Sequence, residues 1–479
     1  MERGEKLFLG GRLKRLRRDL GLNQSQMAKD LGVSPSYLNH LERNQRPLTA
    51  QILLRLAQVY DLDVRAFVEA PQAGGQADLA EVLADPMFKD LAIPRHEISA
   101  LIDHAPGAAE AMTRLYTAFS DRRRRDEMAG DASAQGGDGR AAAEVSSPAW
   151  VRDYIQAHNN HFPDLDHAGE ALARQIAESP HEFEAGARER LSSRHGVRVQ
   201  SLEPDVMRDS IRRYDPHSRR LFLAEAMEAA SRNFALAYQL SLFEAADELN
   251  GLVETSAAPD MATRRLLKVS LANYLAAAVL MPYEPFLAAA EASGYDIARL
   301  KAGFGASFEQ VCHRLTTLSR ANQRGVPFFL LRVDSAGNIS KRFASSAFPF
   351  SRFGGACPRW NIHTAFKTPR RIIRQIIETR DGVRYFTLSR TVRRVAASED
   401  APDDGDLAIG LGCELKHAKK LIYARGLDLD NPAVTEIGPT CQLCDRPACR
   451  ERAAPPIDRT LMMEEWRRSV SPFPFATHG

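Results

Sequence analysis

No cysteine occurs before Cys312, and the 479 residues contain only six. Disulfide frameworks spread their cysteines through short secreted chains, so that class is excluded. Long apolar runs are missing too. The nearest, Val269 to Pro282, is interrupted by Asn273, Tyr274 and the proline, and falls short of the roughly 18 residues a membrane span needs. The N-terminus alternates charges and lacks a signal peptide's apolar core. Net charge is small, at +3 from 64 basic and 61 acidic residues, so any affinity for nucleic acid must come from a local patch. The zinc-protease motif His-Glu-x-x-His is also absent. A reducing cytoplasm, no membrane and no catalytic residues are the expectations that follow.

What is present is ordinary in bulk, with 44% hydrophobic and 26% charged residues, and too long for one core. The reading divides it into residues 1–70, a helical connector 71–147 with a flexible loop 121–147, a helical domain 148–325 and a cysteine-rich domain 326–479. The predicted class is mainly α with smaller α+β parts.

Residues 7–67 carry a five-helix pattern. Leu13, Leu16 and Leu20 form an apolar stripe ended by Gly21. Asn23 and Gln26 have capping-box spacing for a helix over 24–31, and Gly32-Val33 supplies the turn. Ser34-Pro35 then opens a third helix, Pro35 to Arg43, as an N-cap followed by proline. Residues 49–60 and 64–67 complete the bundle. The run QSQMAKDLGVSPSYLNHLERNQRPLT resembles the repressor-type, Cro-like helix-turn-helix. That likeness implies a third helix in the major groove of double-stranded DNA. Ser36, Tyr37, Asn39 and His40 are then candidates for base edges, with Gln24, Arg43 and Arg46 nearer phosphates and the N-cap Ser34 in the same DNA-binding set. One such module buries little surface, which implies a dimer or dimer of dimers.

Beyond Pro71–Gly75, read as a hinge, residues 79–119 return to helical periodicity. Asp121–Ala143 holds Arg122–Arg125 and few apolar anchors. Residues 148–325 read as helices over 149–158, 167–177, 181–194, 222–249, 261–281, 284–293, 296–303 and 307–320. Short strands at 197–202, 210–214 and 219–222 interrupt them. The string RRLFL before a long helix and NYLAAAVLMPY later resemble IrrE-like, zincin-related domains. Where active relatives place His-Glu-x-x-His, this chain reads Tyr238-Gln239-Leu240-Ser241-Leu242. No metal ligand or water-activating carboxylate remains there. His158 and His161 are a looser pair, read as a polar helix-to-loop junction.

In the last domain, 327–334 and 336–342 form a predicted hairpin with a Gly-Asn turn, followed by strands at 371–378 and 383–395. Gly410-Leu411-Gly412-Cys413 is read as the start of a helix reaching Tyr423. Cys441, Cys444 and Cys449 then fall within nine residues, a spacing for a soft metal or an iron–sulfur cluster. A fourth thiolate is required. Cys413, at the expected helix start, is preferred and Cys357 is the alternative; Cys312 reads as core.

The strings GNISKR, GGACPRWNIHTAF, GLGCELKHA and IGPTCQLCDRPACRERAAPP are similar to those of the short-chain fatty acyl-coenzyme A regulator family, across nearly the whole chain. The resemblance implies an operator-binding transcription factor responding to propionyl-CoA or another short acyl-CoA. It also implies a four-iron four-sulfur cluster on the C-terminal cysteines, with zinc as the alternative. Such an effector needs cations for its phosphates and an apolar slot for its acyl group. Arg314, Arg320, Arg324, Lys341 and Arg342 are the candidate cations, with Phe328, Phe329, Tyr238 and Tyr274 as apolar lining. Two rival readings are a metal or iron–sulfur redox sensor and a fused metallopeptidase-type enzyme. The missing His-Glu-x-x-His disfavours the second.

Overall fold

The computed structural model describes residues 10–19, 22–42, 45–60, scattered positions from 79 to 119 and, with short gaps, 147–476. It separates into two compact units, Met1–Ser120 and Asp121–Gly479. The predicted linker 71–75, the loop 121–143 with Arg122–Arg125, the fifth helix at 64–67 and Arg43 lie outside the described residues.

In the first unit, α1 (Gly10–Asp19), α2 (Gln24–Leu31), α3 (Pro35–Glu42) and α4 (Ala50–Tyr60) enclose a small core. Leu13, Met27, Leu31, Leu38, Leu41, Leu53 and Leu56 fill it. The capping box forms as read: the Asn23 side chain accepts from Gln26 N–H, and the Gln26 side chain accepts from Asn23 N–H, both at 2.9 Å. Gly32 ends α2 at φ 63°, and a Cβ there would collide with the Arg55 guanidinium, so only glycine turns this corner.

The second unit combines helices with two sheets. A three-stranded sheet, order β1-β3-β2, uses Arg198–Leu202, Arg220–Ala224 and Arg212–Asp215. The predicted single helix 222–249 is corrected here. Leu221 and Leu223 alternate inward on β3, and helices Ala229–Glu244 and Ala246–Thr255 break apart at Ala245. Helix Met261–Leu280 packs at the centre of the core, which accounts for its apolarity. No single described helix is long and apolar enough to cross a membrane.

The larger sheet has six strands in the order β5-β4-β8-β7-β6-β9. These are β4 (Phe329–Val333), β5 (Ile339–Ala344), β6 (Ile373–Glu378), β7 (Arg384–Val392), β8 (Leu407–Glu414) and β9 (Val434–Glu436). The helix expected from Gly410 to Tyr423 is a second correction: Leu407–Glu414 is a central strand between β4 and β7, and short 3-10 turns follow. A strand buried on both faces shows a nearly continuous apolar run, which periodicity cannot tell from a buried helix. The glycines serve packing rather than capping. A Cβ on Gly410 would stand 2.9 Å from Ile362, and one on Gly412 would enter the Phe329 ring.

This sheet divides two cores. Phe328, Leu330, Phe386, Ile409, Leu411 and Cys413 face the helices. Phe329, Leu331, Tyr385, Ala408, Phe348, Trp360 and Cys357 face the other side. Residues of the predicted middle and C-terminal domains therefore share one continuous core.

Candidate functional site

The first site is the outward face of α3. Ser34 Oγ accepts from Tyr37 N–H at 3.1 Å and starts the helix, while Leu38 and Leu41 hold its inner face. Ser36, His40 and Arg46 are exposed, and Tyr37 and Asn39 are half-buried beside them. The Arg46 guanidinium lies 5.8 Å from the Tyr37 ring centre, and His40 Nδ1 pairs with Gln45. Sequence reasoning missed the pin beneath this face. Arg17 from α1 donates to buried Glu42 at 2.6 and 3.1 Å, and Gln24 from α2 donates to the same carboxylate at 2.9 Å. Burial pushes the Glu42 carboxyl up, but the Arg17 and Gln24 hydrogen bonds outweigh it and hold the group below its usual range. Gln24, assigned to phosphate, thus helps lock α2 to α3.

The second site is the cysteine corner. Cys357 comes near Cys441 and Cys444: burial raises its thiol pKa, and these two thiols add to the rise; burial raises Cys444 as well, with Cys449 adding to it. The backbone N–H groups of Gly438 and Arg359 pull the Cys357 thiol down against burial, as that of Arg446 does for Cys444, and the Ala453 N–H donates to Cys441 Sγ at 3.4 Å. A Cβ on Gly438 would sit 2.8 Å from the Cys444 sulfur, so glycine keeps that approach open. Cys413 is not part of this group. It lies on the opposite face of the sheet, fully buried, and burial raises its thiol pKa. The preference for Cys413 rested on a helix start that does not exist.

Arg452 was also missed, although its position beside the knot was a signal. It is buried, and its guanidinium donates to Cys441 O at 2.8 Å, Cys444 O at 2.9 Å and Arg446 O at 2.9 Å. Arg380 pairs with Asp445 at 2.6 Å and Arg446 with Glu436, fixing the loop to the sheet edge. Among the described residues no group of three His, Cys, Asp or Glu side chains is closed into metal-holding geometry. The donor set still fits a soft group. Burial first, and neighbouring thiols after it, raise the Cys357 and Cys444 thiols, a penalty that a bound cation removes, and an N–H donor directed at sulfur suits a bound thiolate.

The candidate effector residues are dispersed. Arg314 is fully buried and pairs with Asp166 at 2.8 Å, also donating to Met281 O and Thr317 Oγ1. Tyr274 donates to Asp166 at 3.0 Å and accepts from Phe162 N–H. Both are parts of a structural pin. His161 lies 3.2 Å from the same carboxylate, and His158 caps Tyr154 O, in keeping with a polar junction. Arg320 pairs with Glu170 at 3.0 Å and covers Tyr283. Lys341 shares Glu309 with Arg332, each at 2.8 Å. Arg324 is exposed and Arg342 half-buried. Phe328 and Phe329 enter different cores and do not line one slot. At the vacated zincin position, the Arg212 guanidinium lies 3.7 Å from the Tyr238 ring centre, so a fixed cation stands over the residue replacing the first histidine.

An exposed recognition helix on a capped, ion-pinned bundle defines the class: a helix-turn-helix DNA-binding regulator. The chain matches the Helix-turn-helix family over 13–67, the IrrE N-terminal-like domain over 192–316, and the Short-chain fatty acyl coenzyme A regulator, C-terminal, over 317–473. The Propionyl-CoA carboxylase regulator of Cereibacter sphaeroides is 39% identical, with 98% of this chain and 99% of that protein covered. RamB of Mycobacterium tuberculosis is 37% identical over 98% of both chains. PrpR of the same organism is 36% identical over 97% of this chain and 95% of PrpR. A solved Mycobacterium tuberculosis transcriptional regulator is similar with TM-score 0.64 at 38% identity, over 67% of this chain and 98% of its own. The chain belongs to the short-chain fatty acyl-coenzyme A regulator family.

Proposed function

We propose that this protein is a cytoplasmic, non-enzymatic, two-copy transcriptional regulator whose operator affinity is set by a short acyl-CoA, propionyl-CoA first among them. The observation that carries the DNA half is the outward Ser36–Tyr37–Asn39–His40 face, exposed at Ser36 and His40, on a helix held from behind by the Arg17–Glu42–Gln24 pin. Full-length likeness to a protein named for propionyl-CoA carboxylase regulation supports the effector. Loss of both histidines and the glutamate at Tyr238, Gln239 and Leu242 speaks against peptidase chemistry. Coupling of about 1–3 kcal/mol between effector and DNA would change operator affinity by roughly 5–150-fold.

Cys357, Cys441, Cys444 and Cys449 would hold either a four-iron four-sulfur cluster or zinc. Such a group supplies one-electron redox chemistry in the first case and a rigid cross-link in the second. The clustered thiols also favour a second reading, in which the metal group is itself the signal.

Operator binding measured at fixed salt with propionyl-CoA, acetyl-CoA, free coenzyme A and no addition tests the first reading. A shift with the acyl forms is expected; equal affinity in all four sinks it. Asn39→Ala should relax sequence preference, whereas Arg46→Ala should weaken all sequences and lower the salt slope by about one. Anaerobic purification with metal analysis addresses the second reading, since a colourless zinc protein removes it.

A further inference from the structure

The C-terminal stretch beyond the cysteine corner has no role so far. Thr460 to Ala476 is an antiparallel excursion. Leu461 bridges Phe475, Met462 N–H donates to Pro474 O at 2.9 Å, and Ala476 N–H donates to Thr460 O at 3.1 Å. At its end Arg467 N–H returns to Glu464 O, putting Glu465 and Trp466 at the corner. The base is anchored: Phe475 is buried, with the Arg452 guanidinium 5.0 Å from its ring centre.

The tip is dressed for contact. Trp466 is 97% exposed, and Leu461, Met462, Met463 and Val470 are exposed around it. The chain's other two tryptophans are packed, Trp360 fully and Trp150 partly. An exposed apolar cluster centred on tryptophan marks an interaction surface, because this side chain carries much of the energy of protein interfaces. The flanking charges say what covers it. Glu464-Glu465 precede Trp466 and Arg467-Arg468 follow it. None of the four has an ion pair among the described residues. Two copies related by a two-fold axis through Trp466 would set each acidic pair against the other's arginines, the self-complementarity an isologous contact requires.

We infer that the arm Leu461–Val470 is the self-association surface, with Trp466 packing against Trp466 of a second copy and Glu464-Glu465 facing Arg467-Arg468. This deepens the two-copy reading above and rests on it.

Sedimentation velocity of the full-length protein over a concentration series, on parent and variants, provides the test. Trp466→Ala should weaken dimerisation by about 30-fold with an unchanged melting curve, since the side chain is solvent-exposed. Glu464→Arg/Glu465→Arg and Arg467→Glu/Arg468→Glu should each be monomeric, while their equimolar mixture should recover dimer. A parent dimer that survives all three variants overturns the arm and leaves the two-copy reading standing. Failure of the mixture to reassociate, or a Trp466→Ala protein that dimerises normally but loses operator affinity, also overturns it. A parent that is monomeric at every concentration removes both.

Discussion

Replacing Arg314 with methionine separates a binding cation from a structural pin. Both Arg314 and its partner Asp166 are fully buried, 2.8 Å apart. Removing one member of a buried ion pair strands the other, at a cost of about 3–5 kcal/mol. That is roughly a hundredfold or more in the folding equilibrium. Arg314→Met also leaves Met281 O without its guanidinium donor, so the upper part of that range is expected. Urea unfolding of the full-length protein, followed by circular dichroism, should show an earlier transition. Arg314→Met with Asp166→Leu should recover much of the loss, because an apolar pair of similar volume tolerates the interior. The acid limb gives a second readout. Burial pushes the Asp166 carboxyl up, but the Arg314 charge, with His161 beside it, outweighs this and leaves the group below its ordinary value. A depressed carboxyl contributes stability that is present above about pH 4 and lost as pH falls through the folded value. Without Arg314 the effect of burial is no longer outweighed, so this acid-dependent loss should shrink or vanish. The reasoning is refuted if Arg314→Met unfolds at the parent's urea concentration yet no longer responds to acyl-CoA, for Arg314 would then be the ligand cation its sequence position suggests.

Cys357→Ser should lose the proposed metal or cluster, whereas Cys413→Ser should retain it; metal analysis and visible absorption decide, and the reverse result would restore Cys413. Gly412→Ala should lower stability by about 1–3 kcal/mol, because the new methyl overlaps the Phe329 ring; an unchanged melting temperature counts against the packing account. Burial pushes His313 down to about 3. A histidine kept neutral in the fold gives stability that is complete above pH 6.5 or so and declines below it by about 1.4 kcal/mol per pH unit. His313→Gln should flatten that stretch of the stability profile, as measured by denaturation at stepped pH.

Local patterns were legible wherever short-range physics governs. Asn23 and Gln26 cap a helix through contacts three residues apart. Gly32 turns because of its own φ, and the order of residues at 238–242 alone rules out a zincin ligand set. Tertiary structure decided what depends on partners distant in the chain. Leu407–Glu414 is a strand because β4 and β7 flank it, a fact its apolar run does not contain. Cys357 joins cysteines more than eighty positions later because the sheet separates its core from that of Cys413. Arg314 becomes a pin only when Asp166 is folded against it. Spacing along a chain encodes periodicity and capping, while burial and charge pairing are properties of the packed assembly.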